Sequence, residues 1–219
     1  MKIKINVDLK IGRLVRNFVL IDLALFAGWG FLGPILPVFV IRNVAGATLT
    51  TVGIAAAIYL IVKSILQLPI ANYIDRNHRN EGYHNDFFIL VLGLLLASFA
   101  AFSYTLVKEV WQLYLVEMLH GIAFSLYTPS WSGIFSRHLD KDRISFDWSL
   151  DSTSVGLSAG ITGLIGGIVA ENFGFYPVFI MASAFSMIAV LVLVTSPDIV
   201  FPKSTTAPLV IKEQHDLIK

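Results

Sequence analysis

The chain has 219 residues, of which 56% are hydrophobic and only 14% charged, with a mean hydropathy of +0.74. Soluble domains carry about 25% charged residues, so neither a water-covered globule nor a charge-rich disordered chain fits. The absence of cysteine excludes disulfides and thiolate metal sites, and a net charge of +1 leaves charge distribution as the informative quantity.

Six long apolar stretches run over 17–41, 51–74, 87–107, 111–136, 148–170 and 175–196. Each is long enough for a span of about 20 residues, and none alternates as a barrel strand does, so they are expected to be membrane-spanning helices. The first is too long for a signal-peptide core. The reading is an all-α membrane protein: a basic N-terminal segment 1–16, a six-helix domain 17–196 and a polar, proline-containing tail 197–219.

In chain order, the first helix carries Asp22 and, further on, Gly28, Gly30, Gly33, Pro34 and Pro37. Proline removes a backbone donor and clashes with the preceding turn, so a kink is expected there. Asp22, Phe26, Trp29 and Gly33 share one face. The second helix holds Lys63 near its middle, too deep for its ammonium to reach an interface easily. The third and sixth stretches contain no charge and are free to face lipid all round. The fourth carries Glu117 and His120, on a face with Tyr114, Gly121, Phe124 and Thr128. The fifth has a polar stripe, Asp151, Ser154, Ser158 and Thr162, and a small-residue stripe, Gly156, Gly160, Gly163 and Gly167, suited to close helix packing.

Topology follows from lysine and arginine. Lys2, Lys4, Lys10, Arg13 and Arg16 precede the first helix. Arg76 and Arg79 lie in the second connection, Arg137, Lys141 and Arg143 in the fourth, and Lys203, Lys212 and Lys219 in the tail. Only Arg42 and Lys108 fall on the other side. The positive-inside rule therefore places both termini in the cytoplasm, with longer cytoplasmic connections near 75–86 and 137–147 and short outer ones.

Charges within spans are costly and normally face a cavity or a partner. Asp22, Lys63, Glu117, His120 and Asp151 are thus the expected substrate or proton pathway, with Glu117 the partner of Lys63 by depth and His120 a possible relay one turn away. One histidine and one carboxylate do not make a metal site; no metal, cofactor or nucleic acid is expected.

The run Ala71-Asn72-Tyr73-Ile74-Asp75-Arg76-Asn77-His78-Arg79 resembles the signature G-x-x-x-D-[RK]-x-G-[RK] of the major facilitator superfamily and falls in the same connection. Asp75, Arg76 and Arg79 match it; Ala71 and His78 replace glycines. Gly163 to Phe175 is similar to the family's fifth-helix glycine run, with Gly163 in place of its proline. His120-Gly121 with Pro129 resembles the fourth helix, with Glu117 where the family commonly has arginine. The resemblance implies one N-terminal half of a twelve-helix fold: six helices as two inverted three-helix units, with the first and fourth lining a cavity.

The resemblance further implies a secondary active transporter that moves a small solute across the cell membrane by alternating access, coupled to a proton or other ion gradient. A single half leaves a polar cavity face open to hydrocarbon. A homodimer, or a separately encoded second six-helix half, is therefore expected within the lipid bilayer. An alternative is a non-transporting accessory subunit or relic of a twelve-helix transporter. A remote one is an intramembrane protease, for which Ser132-Gly133 supplies half a motif and the sixth helix no base.

Overall fold

The computed structural model describes residues 12–81 and 83–196, with side chains omitted at 78–84. The basic residues of 1–11 and of the tail, and the side chain of Arg79, lie outside the described residues. The described chain is helical: α1 Arg13–Leu32, α2 Leu36–Asn43, α3 Leu49–Glu81, α4 Tyr83–Ser103, α5 Val110–Arg137, α6 Ile144–Phe173 and α7 Phe175–Val194. A single 3₁₀ turn, Tyr104–Leu106, follows α4.

The expected kink is a break at 33–35, after which α2 restarts with Pro37 in its first turn. Together α1 and α2 cover Arg13–Asn43, one of five segments among the described residues long and apolar enough to cross a membrane. The others are Leu49–Asn77, Asn85–Leu106, Ile144–Phe173 and Phe175–Val194. The sixth long helix, α5, has 28 residues, about 42 Å at 1.5 Å per residue, but its polar residues lower its hydropathy.

Local chemistry sets the ends. Thr48 and Thr51 exchange backbone-to-hydroxyl bonds at the start of α3. Glu109 and Gln112 form a capping box on α5, satisfying donors that the helix leaves unpaired. Between α6 and α7 the chain reverses at Gly174, whose φ of 81° suits a residue without a Cβ. The links before α3 and before α5 are joined, since Ala45 N–H donates to the Lys108 carbonyl at 2.8 Å.

α1 packs along α6 and α7, α5 packs along α3 and α4, and α4 meets α7. Glycine lets these backbones approach. A Cβ on Gly30 of α1 would stand 2.6 Å from Ala159 Cα of α6, one on Gly28 2.6 Å from the Ala182 carbonyl of α7, one on Gly93 of α4 2.8 Å from Tyr127 N of α5, and one on Gly121 of α5 2.9 Å from the Tyr59 carbonyl of α3. The expected stripe on α6 does little of this within the chain. Gly156, Gly160 and Gly167 meet nothing within 4 Å, and Gly163 makes only ordinary contact with α1. Gly166, outside that stripe, makes the close approach, 2.7 Å from the Phe31 carbonyl.

Two further expectations are corrected. The second connection is not a loop: α3 continues through Asp75 and Arg76 to Glu81, since single Asp and Asn residues do not end a helix already formed by the long apolar stretch before them. Nor do α4 and α7 face lipid all round. Leu90, Leu94, Ala97, Val178, Phe179 and Ala182 are wholly buried between helices, and Ser98 donates to the Ser183 carbonyl at 2.9 Å. The least covered helices are α3 and α6, which expose Leu60, Ile65 and Leu68, and Leu157, Ile161 and Leu164.

Candidate functional site

α1 and α5 face each other across aromatic side chains rather than backbone to backbone. The stripe Asp22, Phe26 and Trp29 points at α5: Phe26 meets Phe124 at 6.2 Å and Trp29 meets Phe124 at 5.2 Å, both edge to face. At the centre His120 is held between two rings. The Trp29 indole stacks on one face at 3.8 Å and the Tyr59 ring, from α3, on the other at 3.9 Å, with planes within 16° and 21° of parallel.

Glu117, one turn earlier on α5, is buried and fully engaged. Its Oε1 accepts the Tyr104 hydroxyl at 2.8 Å, and its Oε2 lies 3.3 Å from His120 Nδ1. Tyr104 itself is wholly buried beneath α4. A carboxylate in this setting needs such donors, since an unpaired buried charge is far more costly. Beside the group opens a cavity of about 220 Å³, lined by α1 and α2 (Trp29, Leu36, Pro37), α3 (Ala56, Tyr59) and Glu117 and His120 of α5. The Trp29 Nε1 proton, also buried, has no acceptor among the described residues.

Lys63 does not pair with Glu117. Its Nζ lies over the rings of Tyr59 and Phe124, 6.0 and 5.8 Å from their centroids, in reach of a cation–π attraction. It makes no ion pair among the described residues, because Tyr104 and His120 already occupy Glu117.

Asp22 and Asp151, from α1 and α6, come together in a second cluster. Because α1 begins at Arg13, Asp22 sits well inside the helix; it is 4% exposed and accepts the Tyr127 hydroxyl of α5. Asp151 lies against Asp22 and is 7% exposed. The rest of the polar stripe on α6 turns inward on itself: Ser154 donates to the Leu150 carbonyl and Thr162 to that of Ser158.

The signature residues close one end of the bundle. Arg137, the last residue of α5, reaches Asp86 of α4 at 2.8 Å and Asp75 of α3 at 3.5 Å. Asp86 is fully buried and Asp75 exposed. Arg76 points outward from α3.

Sequence reasoning grouped Glu117 with His120 and set Trp29 on a separate face of the first helix; it missed the stacking of Trp29 on His120 and the parts of Tyr59, Tyr104 and Tyr127. Tyr127 follows His120 and Phe124 at helical spacing and was legible as part of their face. Tyr59 and Tyr104 lie on other elements, where no spacing rule reaches. Ser132 of the protease half-motif turns to its own helix, its hydroxyl donating to the Pro129 carbonyl at 3.4 Å.

Long apolar helices and glycine crossings around a polar aromatic chamber with buried acids define a helical membrane protein. The family model of the Major Facilitator Superfamily matches residues 18–214, and the chain belongs to that family. It is an integral, multi-pass membrane protein of a family of transporters, not of enzymes.

Among curated proteins, an uncharacterized MFS-type transporter of Methanocaldococcus jannaschii is 25% identical over 197 residues, covering 88% of this chain and 49% of that one. A proton-coupled antiporter flippase, LtaA, of Staphylococcus haemolyticus is 23% identical over 138 residues, covering 63% of this chain and 33% of that one. The chain thus spans half or less of the length of these relatives. The crystal structure of the POT family transporter PepTSo superposes with a TM-score of 0.68 at 13% identity, over 86% of this chain and 38% of that one. That likeness shows the fold.

Proposed function

We propose that the chain is one six-helix unit of a secondary transporter, and that it moves a small solute by alternating access against a second unit. The observation that carries this reading is the juxtaposition of a polar chamber with two uncovered helices. α3 and α6 hold Tyr59 and Lys63, and Asp151, on the chamber side, and still leave Leu60, Ile65, Leu68, Leu157, Ile161 and Leu164 without cover. A second copy, or a separately encoded second half, seated on α3 and α6 closes the chamber against lipid. The helix contacts support two inverted three-helix units: α1 holds α6 and α7 as α5 holds α3 and α4.

The lysine and arginine asymmetry supports cytoplasmic termini. The Asp75–Arg137–Asp86 bridge then lies at the cytoplasmic end, where it ties α3, α4 and α5 in one state. Solute meets Trp29 and the Glu117–His120 pair, which give an otherwise apolar cavity its polar groups, with the Lys63 ammonium nearby over the rings of Tyr59 and Phe124. One relative is named a proton-coupled antiporter, which supports coupling to an ion gradient.

Reconstitution into liposomes with uptake assays across cationic, anionic and zwitterionic solutes tests this reading. Lys63→Ala is expected to lower uptake at least tenfold, and Arg42→Ala, exposed at the opposite end of the first segment, to leave it unchanged. Equal effects overturn the site. Cysteines placed singly at Leu68 and Ile161 should crosslink two units; strictly monomeric protein with intact uptake overturns the pairing.

A further inference from the structure

Asp22 and Asp151 are buried neighbours on two closely packed helices, α1 and α6, and neither meets a lysine, arginine or histidine among the described residues. Asp22 already accepts the Tyr127 hydroxyl from α5. Asp151 Oδ1 is buried with no donor among the described residues. An ionised carboxyl can only accept, so two of them at this separation are joined only when a hydrogen stands between. Like charges so close, shielded from water, do not both ionise. α7, the other helix against α1, holds no charged residue. On α6, Asp147 one turn away is turned off to accept the Asp140 N–H.

We propose that Asp22 and Asp151 form a proton-binding pair, two carboxyl groups on α1 and α6 that hold one proton between them. This deepens the transporter reading and rests on it for its use: the pair, not Glu117 and His120, is the site at which the coupling proton is carried. Glu117 has both oxygens engaged by Tyr104 and His120, and His120 is closed on both faces by rings. The Asp22–Asp151 pair has an open oxygen. A metal cation is disfavoured by the donor set. Hard cations take six or more oxygens, and here two carboxyls are joined only by a phenol whose proton already points at Asp22. When the proton leaves, two facing carboxylates repel at the α1–α6 crossing, which supplies a force between loaded and empty states.

The test is infrared spectroscopy of the full chain in nanodiscs at neutral pH, with carboxyl-labelled aspartate and no solute. Wild type is expected to show one protonated-aspartate C=O band, which Asp22→Asn and Asp151→Asn each abolish, because the remaining carboxyl then ionises beside a neutral amide donor. Tyr127→Phe is expected to keep the band's amplitude and shift its frequency; this variant leaves both acids in place should the amides misfold. A wild type without the band, a band at full amplitude in either single amide variant, or its displacement by sodium at fixed pH overturns the pair. Because no solute enters the measurement, an intact band with absent uptake refutes the transporter reading and leaves the pair standing.

Discussion

The Trp29 indole and the His120 imidazole lie face to face at 3.8 Å, within 16° of parallel. With Tyr59 on the far side at 3.9 Å, the imidazole fills a slot whose width its ring thickness sets. The slot ties α1, α3 and α5 through side chains alone, and it separates packing from chemistry. His120→Phe keeps a ring in the slot and is expected to stay within about 1.5 kcal/mol of wild type in stability, while removing the nitrogen beside Glu117 and lowering uptake at least tenfold. His120→Ala empties the slot and is expected to lose about 2–4 kcal/mol as well. Thermal unfolding in detergent, set beside uptake, reads the two effects apart.

The Tyr104 hydroxyl on Glu117 is a fully buried hydrogen bond between the turn after α4 and α5. Tyr104→Phe removes the donor and leaves a buried carboxylate oxygen unpaired, at a cost of about 1–3 kcal/mol. Glu117→Gln keeps an acceptor for the tyrosine and is expected to be the milder change in unfolding midpoint. It should also be the more severe in uptake, since the charge is gone. The reverse order of midpoints is inconsistent with the bond as placed.

Close approach makes a sharper contrast. A Cβ at Gly30 meets Ala159 backbone at 2.6 and 2.8 Å, whereas one at Gly160 meets nothing within 4 Å. Gly30→Ala must push α1 off α6 and is expected to cost about 1–3 kcal/mol. Gly160→Ala adds a better helix former without a clash and should leave the midpoint of the single unit unchanged or raise it. Any loss from Gly160→Ala should appear only in the pairing of two units, read by crosslinking yield.

These contrasts mark where sequence was a good guide. Apolar length alone places the long helices, five of the six expected stretches being long and apolar enough to cross a membrane among the described residues, and helical spacing alone puts Asp22, Phe26 and Trp29 on the face that meets α5. Position along one helix says nothing about depth or rotation relative to another. That is why Glu117 read as the partner of Lys63 when Tyr104 and His120 hold it. It is also why the tidy Gly156–Gly167 stripe read as the packing seam when Gly30 and Gly166 form it. Arg137 read as one topology-setting cation among thirteen; its role depends on α3 and α4 bringing Asp75 and Asp86 to the end of α5, which no pattern along one helix shows.

That bridge gives the last prediction. Arg137 reaches Asp86 at 2.8 Å and Asp75 at 3.5 Å, but the two acids differ in setting. Asp86 is 0% exposed, and the side chain of Asp75 is 73% exposed. A solvated pair contributes up to about 1 kcal/mol, whereas stripping the partner from a buried charge costs about 3–5 kcal/mol. Arg137→Gln is therefore expected to destabilise the chain strongly, and Asp75→Asn only slightly, although Asp75 is the residue that matches the family signature. If Asp75 serves conformational exchange, its loss should show in uptake rate at near-normal stability. Unfolding midpoints for Arg137→Gln and Asp75→Asn, measured with initial uptake rates on the same preparations, decide it. Equal losses of stability would mean that both acids hold the fold, and that the signature acid has no separate part in transport.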